Sequence, residues 1–123
     1  MQIPSLYSNT SPLGGRGMFC AEDITANSVI EICPVVVVPA NQMKQLKQTE
    51  LYNYYFDWID EAGAIALGNG SLYNHSYTPN AEYEADFEFQ TLTIYALEDI
   101  PAGSEILFNY NGDPTDKTKV WFH

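Results

Sequence analysis

Three groups of residues combine types and spacing suited to chemistry. The first is the turn-rich stretch Ser11-Pro12-Leu13-Gly14-Gly15-Arg16-Gly17. Gly15 and Gly17 carry no Cβ, so the backbone there can approach a ligand closely. Arg16 between them can pair with a carboxylate or point into solvent. A plain surface turn would account for this loop taken alone. The second group is Tyr73-Asn74-His75-Ser76, followed by Pro79-Asn80. Asn74 offers a donor and an acceptor in one amide. For the His75 side chain, a core histidine with satisfied ring nitrogens is the simpler account. Ser76 and Asn80 suit local bonds that stabilise a turn. The third group is Tyr110, at the end of Glu105-Ile106-Leu107-Phe108-Asn109. A phenol stays protonated at neutral pH. Tyr110 therefore suits positioning and electrostatic work rather than general-base work.

These groups must be held by strands. Val29 to Val38 is dominated by β-branched residues and closed by Pro39, as expected of one long strand or two with a bend. Glu82 to Phe89 and Thr91 to Ala96 alternate, predicting a hairpin around Gln90. Short strands are also expected at Gln2 to Tyr7, Met18 to Ala21, Ala64 to Leu67 and Glu105 to Tyr110. The first of these is an edge strand limited by Pro4. Ala40 to Leu51 is the best helix, with Met43, Leu46 and Leu51 as a sparse apolar stripe. The aromatic Tyr52 to Ile59 has no clear period. The expected class is a mostly-β single domain of small sheets with one short helix.

The composition bounds the function. At 123 residues and 46% apolar, the chain can bury one modest core. Sixteen Asp plus Glu against five Lys plus Arg give a net charge of -11. That field repels phosphates and anionic headgroups, so direct nucleic-acid or membrane binding is not expected. A basic protein or peptide fits the charge, and so does acidity serving only solubility. Cys20 and Cys33 are too few for a structural zinc site, and the expectation is two buried free thiols with no bound metal. No stretch reaches the roughly 18 apolar residues of a membrane helix, and the start lacks a secretory pattern. An intracellular location is expected.

Taken in order, three segments resemble the SET-domain family of protein-lysine methyltransferases. Ser11 to Phe19 is similar to its Gly-x-Gly segment. Tyr73-Asn74-His75-Ser76-Tyr77-Thr78-Pro79-Asn80-Ala81 is similar to its Asn-His-Ser-x-x-Pro-Asn motif. Ile100 to Tyr110 is similar to its closing turn, glutamate, strand and tyrosine. The linking Ala66-Leu67-Gly68 and Asp99-Ile100 also resemble family sequence. The likeness runs from about Ser11 to Trp121, and the length resembles the small stand-alone members of viruses and bacteria. It implies a SET (β-clip) fold, in which a C-terminal pseudoknot threads past the loop of Asn74 and His75.

The resemblance also implies S-adenosylmethionine as cofactor and the ε-amine of a protein lysine as acceptor, in a histone-like tail or other basic protein. It assigns Tyr110 as the catalytic tyrosine. It assigns Gly15, Arg16, Gly17, Asn74, the main chain of His75, and Trp121 to the cofactor. Arg16 departs from the family, where this position is often aromatic. Tyr54, with Tyr55 as alternative, Tyr83, Phe108 and Tyr110 fall at the lysine channel. Their rings suit an alkyl stem and a methylammonium product. Phe108 carries no hydroxyl to anchor a water, which predicts di- or trimethylation. Tyr83 points the other way. Small members can form homodimers. Two rival readings remain at this stage. One is a non-catalytic SET-like module that binds lysine-rich tails. The other is an acidic chaperone for basic proteins, which explains the charge but not the motifs.

Overall fold

The computed structural model describes residues 1–120. Among these described residues, nine strands form two sheets. The first sheet contains β1 (Leu6–Thr10), β2 (Arg16–Cys20), β9 (Glu105–Phe108) and β6 (Asn74–His75), in the order β1-β2-β9-β6. The second contains β4 (Tyr55–Asp57), β5 (Gly63–Ala66), β3 (Val29–Val38), β8 (Thr91–Ala96) and β7 (Ala81–Asp86), in the order β4-β5-β3-β8-β7. Among the described residues no helix is long and apolar enough to cross a membrane.

The long β-branched run forms a single strand, β3, that serves two partners. Its first part pairs with β8 and its last four residues with β5. Alternation turns Glu31, Cys33 and Val35 toward the core. A register shift between Val29 and Glu31 turns Ile30 inward as well. The main cluster of fully buried side chains is Ile30, Cys33, Leu92, Ile94, Ile100, Ile106 and Phe108, with Tyr73 and Met18. Cys20 and Cys33 are buried free thiols.

Two elements differ from expectation. The first strand lies at Leu6–Thr10 rather than Gln2 to Tyr7. Leu6 N–H turns back to the Ile3 carbonyl around Pro4, so that Gln2 makes an isolated bridge to Glu31 rather than part of a strand. The expected helix shrinks to α1 (Met43–Leu46), flanked by 3-10 turns at Ala40–Gln42 and Glu50–Asn53. Thr49 stops it: the Thr49 hydroxyl donates to the Leu46 carbonyl and accepts from Leu51 N–H. Only Met43 and Leu46 of the apolar stripe are buried here, too little to hold a longer helix.

The element that builds the site is β6. It has two residues and pairs in parallel with β9, Asn74 opposite Leu107 and His75 opposite Phe108. A side chain extends this short ladder. Asn80 Oδ1 accepts from Leu107 N–H at 2.8 Å, and Asn80 Nδ2 donates to the Glu105 carbonyl at 2.9 Å. The amide stands in for a missing strand residue, a long-range role rather than the local turn bond expected from sequence. After β9 the chain crosses back over the loop it has just paired with. Lys117 Nζ donates to the Tyr77 carbonyl at 2.6 Å, and Val120 N–H donates to Tyr77 Oη at 3.1 Å.

Replacing Asn80 with Ala leaves a strand N–H and a strand carbonyl without this partner. The expected loss is about 2–4 kcal/mol, read as a lower midpoint in urea with unchanged m. Loss below about 0.5 kcal/mol, the usual scatter of surface substitutions, would show that the amide does not carry the ladder.

Candidate functional site

The parallel pairing sets Tyr110 against the segment 73–75. Two hydrogen bonds fix it there. Tyr110 N–H donates to His75 Nδ1 at 2.9 Å, and the Tyr110 hydroxyl donates to the Tyr73 carbonyl at 2.5 Å. The His75 ring is nearly buried and meets Tyr77 and Tyr110 edge-on, at 4.3 and 5.2 Å between centroids. Its side chain therefore orients the Tyr110 backbone, while its main chain lies in β6. Because Nδ1 accepts a bond, it carries no proton in this arrangement.

Tyr110 faces a cavity of about 340 Å³, lined among others by Tyr54, Phe56, Tyr73, Tyr83 and Phe108. Phe108, 1% exposed, is its hub. Its ring lies 5.4 Å from Tyr73, 4.9 Å from Tyr83, 6.1 Å from Phe56 and 5.7 Å from Tyr110. Tyr83 closes one wall: its ring meets Phe56 edge-on at 5.0 Å, and its hydroxyl donates to the Tyr110 carbonyl at 3.3 Å. Tyr54 stands more exposed at the rim, its carbonyl accepting from the Ser71 hydroxyl. Tyr55 and Asp57 also reach this cavity. Phe56 and Tyr73 were not singled out from sequence. The place of Phe56 in the aromatic run Tyr52 to Phe56, and that of Tyr73 one residue before Asn74, were the available signals.

The glycine loop lies on the other side of the 73–75 segment. Gly14 and Gly15 have φ of +110° and +59°, and a Cβ on either would meet nothing within 4 Å. These positions need glycine for their backbone conformation, and their outer face is open. Gly17 differs. A Cβ there would sit 2.1 Å from Glu105 Oε2 and 2.9 Å from Asn74 Nδ2. The space above Gly17 thus belongs to the chain's own side chains. Asn74 Nδ2 donates to Glu105 Oε2 at 2.8 Å and to the Arg16 carbonyl at 3.1 Å, and the Ser11 hydroxyl donates to Glu105 Oε1 at 2.8 Å. Both Asn74 N–H donors are therefore engaged, and Oδ1 is its remaining polar atom. The Arg16 side chain is exposed. Trp121 lies outside the described residues. Glu105, which sequence reading placed only as part of a motif, is the carboxylate that joins β9 to the glycine loop.

Residues 15–111 match the SET domain family. The chain belongs to this family. Over 99% of its length, it is 34% identical to a Schizosaccharomyces pombe histone-lysine N-methyltransferase described as H3 lysine-37 specific, covering 82% of that protein. It is also 34% identical, over 79% of its length, to a Plasmodium falciparum variant-silencing SET domain-containing protein, of which it spans only 4%. A crystal structure from Plasmodium falciparum assigned as a histone methyltransferase superposes with a TM-score of 0.72 at 32% identity, over 88% of this chain and 98% of that one. A Chaetomium thermophilum Polycomb Repressive Complex 2 structure shares the fold at a TM-score of 0.72 and 20% identity, over 85% of this chain and 14% of that one. The SET domain described here is thus a protein-lysine N-methyltransferase.

Three tyrosines of the cavity wall, Tyr73, Tyr83 and Tyr110, are held neutral. Burial pushes the Tyr110 phenol well above its ordinary value, with Glu105 adding to the shift. Burial pushes Tyr73 further up, with Glu31 adding, and Tyr83 up to about 12, with Asp57 adding. Folded phenols thus keep protons that unfolded ones release near pH 10. Stability from these groups is complete below that pH and is lost as pH rises through the folded values. The midpoint of thermal unfolding is expected to fall steeply above about pH 10, with buried phenolate absorbance rising only as the domain unfolds. Ionisation of all nine tyrosines near pH 10 in a domain that stays folded would contradict this.

Proposed function

We propose that this SET domain transfers a methyl group from S-adenosylmethionine to the ε-amine of a lysine in a basic protein. The observation that carries the reading is the Tyr110 hydroxyl bound to the Tyr73 carbonyl at the cavity wall. Asn74, the very next residue, faces the glycine loop. One peptide unit thus separates a lysine-sized aromatic cavity from a candidate cofactor face. The donor set fits the cofactor. Asn74 Oδ1 is a spare acceptor for an ammonium, the half-buried Glu105 carboxylate adds negative charge beside it, and the open face of Gly14 and Gly15 leaves room.

S-adenosylmethionine, when bound, supplies an electrophilic methyl group on a sulfonium. The chain's residues do the rest. Rings of Tyr54, Phe56, Tyr83 and Phe108 strip water from the lysine stem, and that desolvation lowers the amine's pKa so that it can attack. Tyr110, neutral and anchored at both its N–H and its hydroxyl, supports alignment and places its oxygen dipole near the point of transfer. It takes no proton, because its phenol stays protonated throughout the working range. Proton loss to solvent suffices, so no acid–base pair is required. Asp57 lines the cavity, and with the net charge of -11 it supports a cationic substrate over a neutral one. A histone H3-like tail is the first substrate to try, since the fission yeast relative is named for histone H3. A homodimer remains compatible with the reading and is not required by it.

Transfer of labelled methyl groups to histones and to other basic proteins tests the proposal. Tyr110→Phe is expected to lower kcat by about 10²–10³, and parental activity in that variant would reject the mechanism. Cofactor or tail binding without turnover in the parent would return the chain to the binding-module reading. The product tests the cavity's room. Phe108 offers no hydroxyl to hold a water, and the Tyr83 hydroxyl is engaged by the Tyr110 carbonyl. Exhaustive reaction is expected to give di- or trimethyl-lysine, shifting toward monomethyl in Phe108→Tyr. Monomethyl product alone from the parent would remove this idea.

A further inference from the structure

A buried carboxylate lies directly beneath the site and has no part in the chemistry described so far. Glu31, on β3, is 2% exposed. Its Oε1 accepts the Tyr73 hydroxyl at 2.8 Å. Its Oε2 accepts Asn69 N–H at 2.9 Å and Asn69 Nδ2 at 3.4 Å. The local backbone is shaped to admit it. Gly68 has φ of +65°, and a Cβ there would sit 2.6 Å from Glu31 Oε2. A carboxylate taken out of water is costly unless its oxygens are bonded, and each of these oxygens has a donor.

Tyr73 is held at both ends of the residue. Its hydroxyl is tied to Glu31 and its carbonyl accepts the Tyr110 hydroxyl, while its ring is 1% exposed against Phe108. A hydrogen-bonded relay therefore runs from Glu31 through Tyr73 to Tyr110. Without the Glu31 contact, the ring still has Phe108 as an apolar neighbour, but nothing polar fixes its rotation or its depth. The carbonyl that orients the Tyr110 hydroxyl is then held only from the β6 side, through the Asn74–His75 pairing, and loses its side-chain anchor.

We infer that Glu31 is a positioning residue for the methyl-transfer site. It acts through the Tyr73 hydroxyl to set the Tyr73 carbonyl, and thereby the direction of the Tyr110 phenol. Glu31 touches neither substrate nor cofactor. Its kinetic consequence rests on the methyl-transfer reading, whereas its effect on Tyr110 does not.

The test is a cycle of Tyr73→Phe, Glu31→Gln and the double variant, each checked for its unfolding midpoint. Tyr73→Phe deletes only the hydroxyl and leaves Glu31 bonded to Asn69. It is expected to lower kcat roughly ten- to a hundredfold through misalignment, with KM for peptide and cofactor unchanged. Glu31→Gln keeps an acceptor for one side only, its NH2 group meeting either the Asn69 donors or the Tyr73 hydroxyl, and is expected to lower kcat similarly. The double variant should fall no further than the worse single, because both changes break one relay. Additive losses in the cycle, or parental kcat in Tyr73→Phe, would overturn the inference. If Glu31→Gln fails to fold, the Tyr73→Phe result alone decides. A second readout needs no turnover. In protein labelled with 13C at the tyrosine Cζ, the Tyr110 resonance, assigned by its loss in Tyr110→Phe, is expected to move in Tyr73→Phe. An inactive parent in which that resonance moves would sink the methyl-transfer reading and keep the relay. An unmoved resonance would sink the relay whatever the activity.

Discussion

Two residues of parallel pairing, Asn74 and His75 against Leu107 and Phe108, decide whether this molecule has a site. Such a ladder is too short to persist by itself. Side chains that imitate backbone lengthen it. The Asn80 amide donates and accepts along β9, the Asn74 amide reaches to β2 and Glu105, and His75 Nδ1 takes the N–H of Tyr110. The motif that marks the family is thus largely a set of struts. Its members hold a strand crossing in register, and the geometry of the candidate site follows from that register.

The same economy governs the electrostatics. The candidate site holds phenols and backbone carbonyls where many active sites hold ionised pairs. Burial keeps Tyr73, Tyr83 and Tyr110 protonated, and two carboxylates, Glu31 and Glu105, are spent on holding donors in place. A neutral, rigid cavity suits a reaction whose nucleophile must arrive uncharged and whose product is a cation. The Asp57 charge, exposed at this cavity, stays where water screens it.

Much of this was readable from residue order, because motifs are local. The glycine loop, the Asn74-His75 segment and Tyr110 could each be named from the chain, and β3 and the β7–β8 hairpin follow from β-branched and alternating patterns. What could not be read is non-local. The motif singles out Asn80 but not its role, since its partners lie 25 and 27 residues away and its local setting is that of an ordinary turn asparagine. Glu31 looks like any polar residue of a strand, since its burial depends on a tyrosine 42 positions later. Gly17 could be identified as a place of close approach, but not as one filled by Glu105 and Asn74. The helix was overestimated because propensity over Ala40 to Leu51 ignores how little of that face finds a neighbour.

The crossing has a consequence for synthesis on the ribosome. β9 is inserted between β2, made early, and β6, made in the middle, and the following segment is pinned at Tyr77. A nascent chain that stops before Glu105 holds all the strands of the five-stranded sheet but lacks β9, the wall built by Phe108 and the Tyr110 phenol. Interrupted translation products therefore lack the candidate site as a whole, and it is completed in one late step rather than growing with chain length.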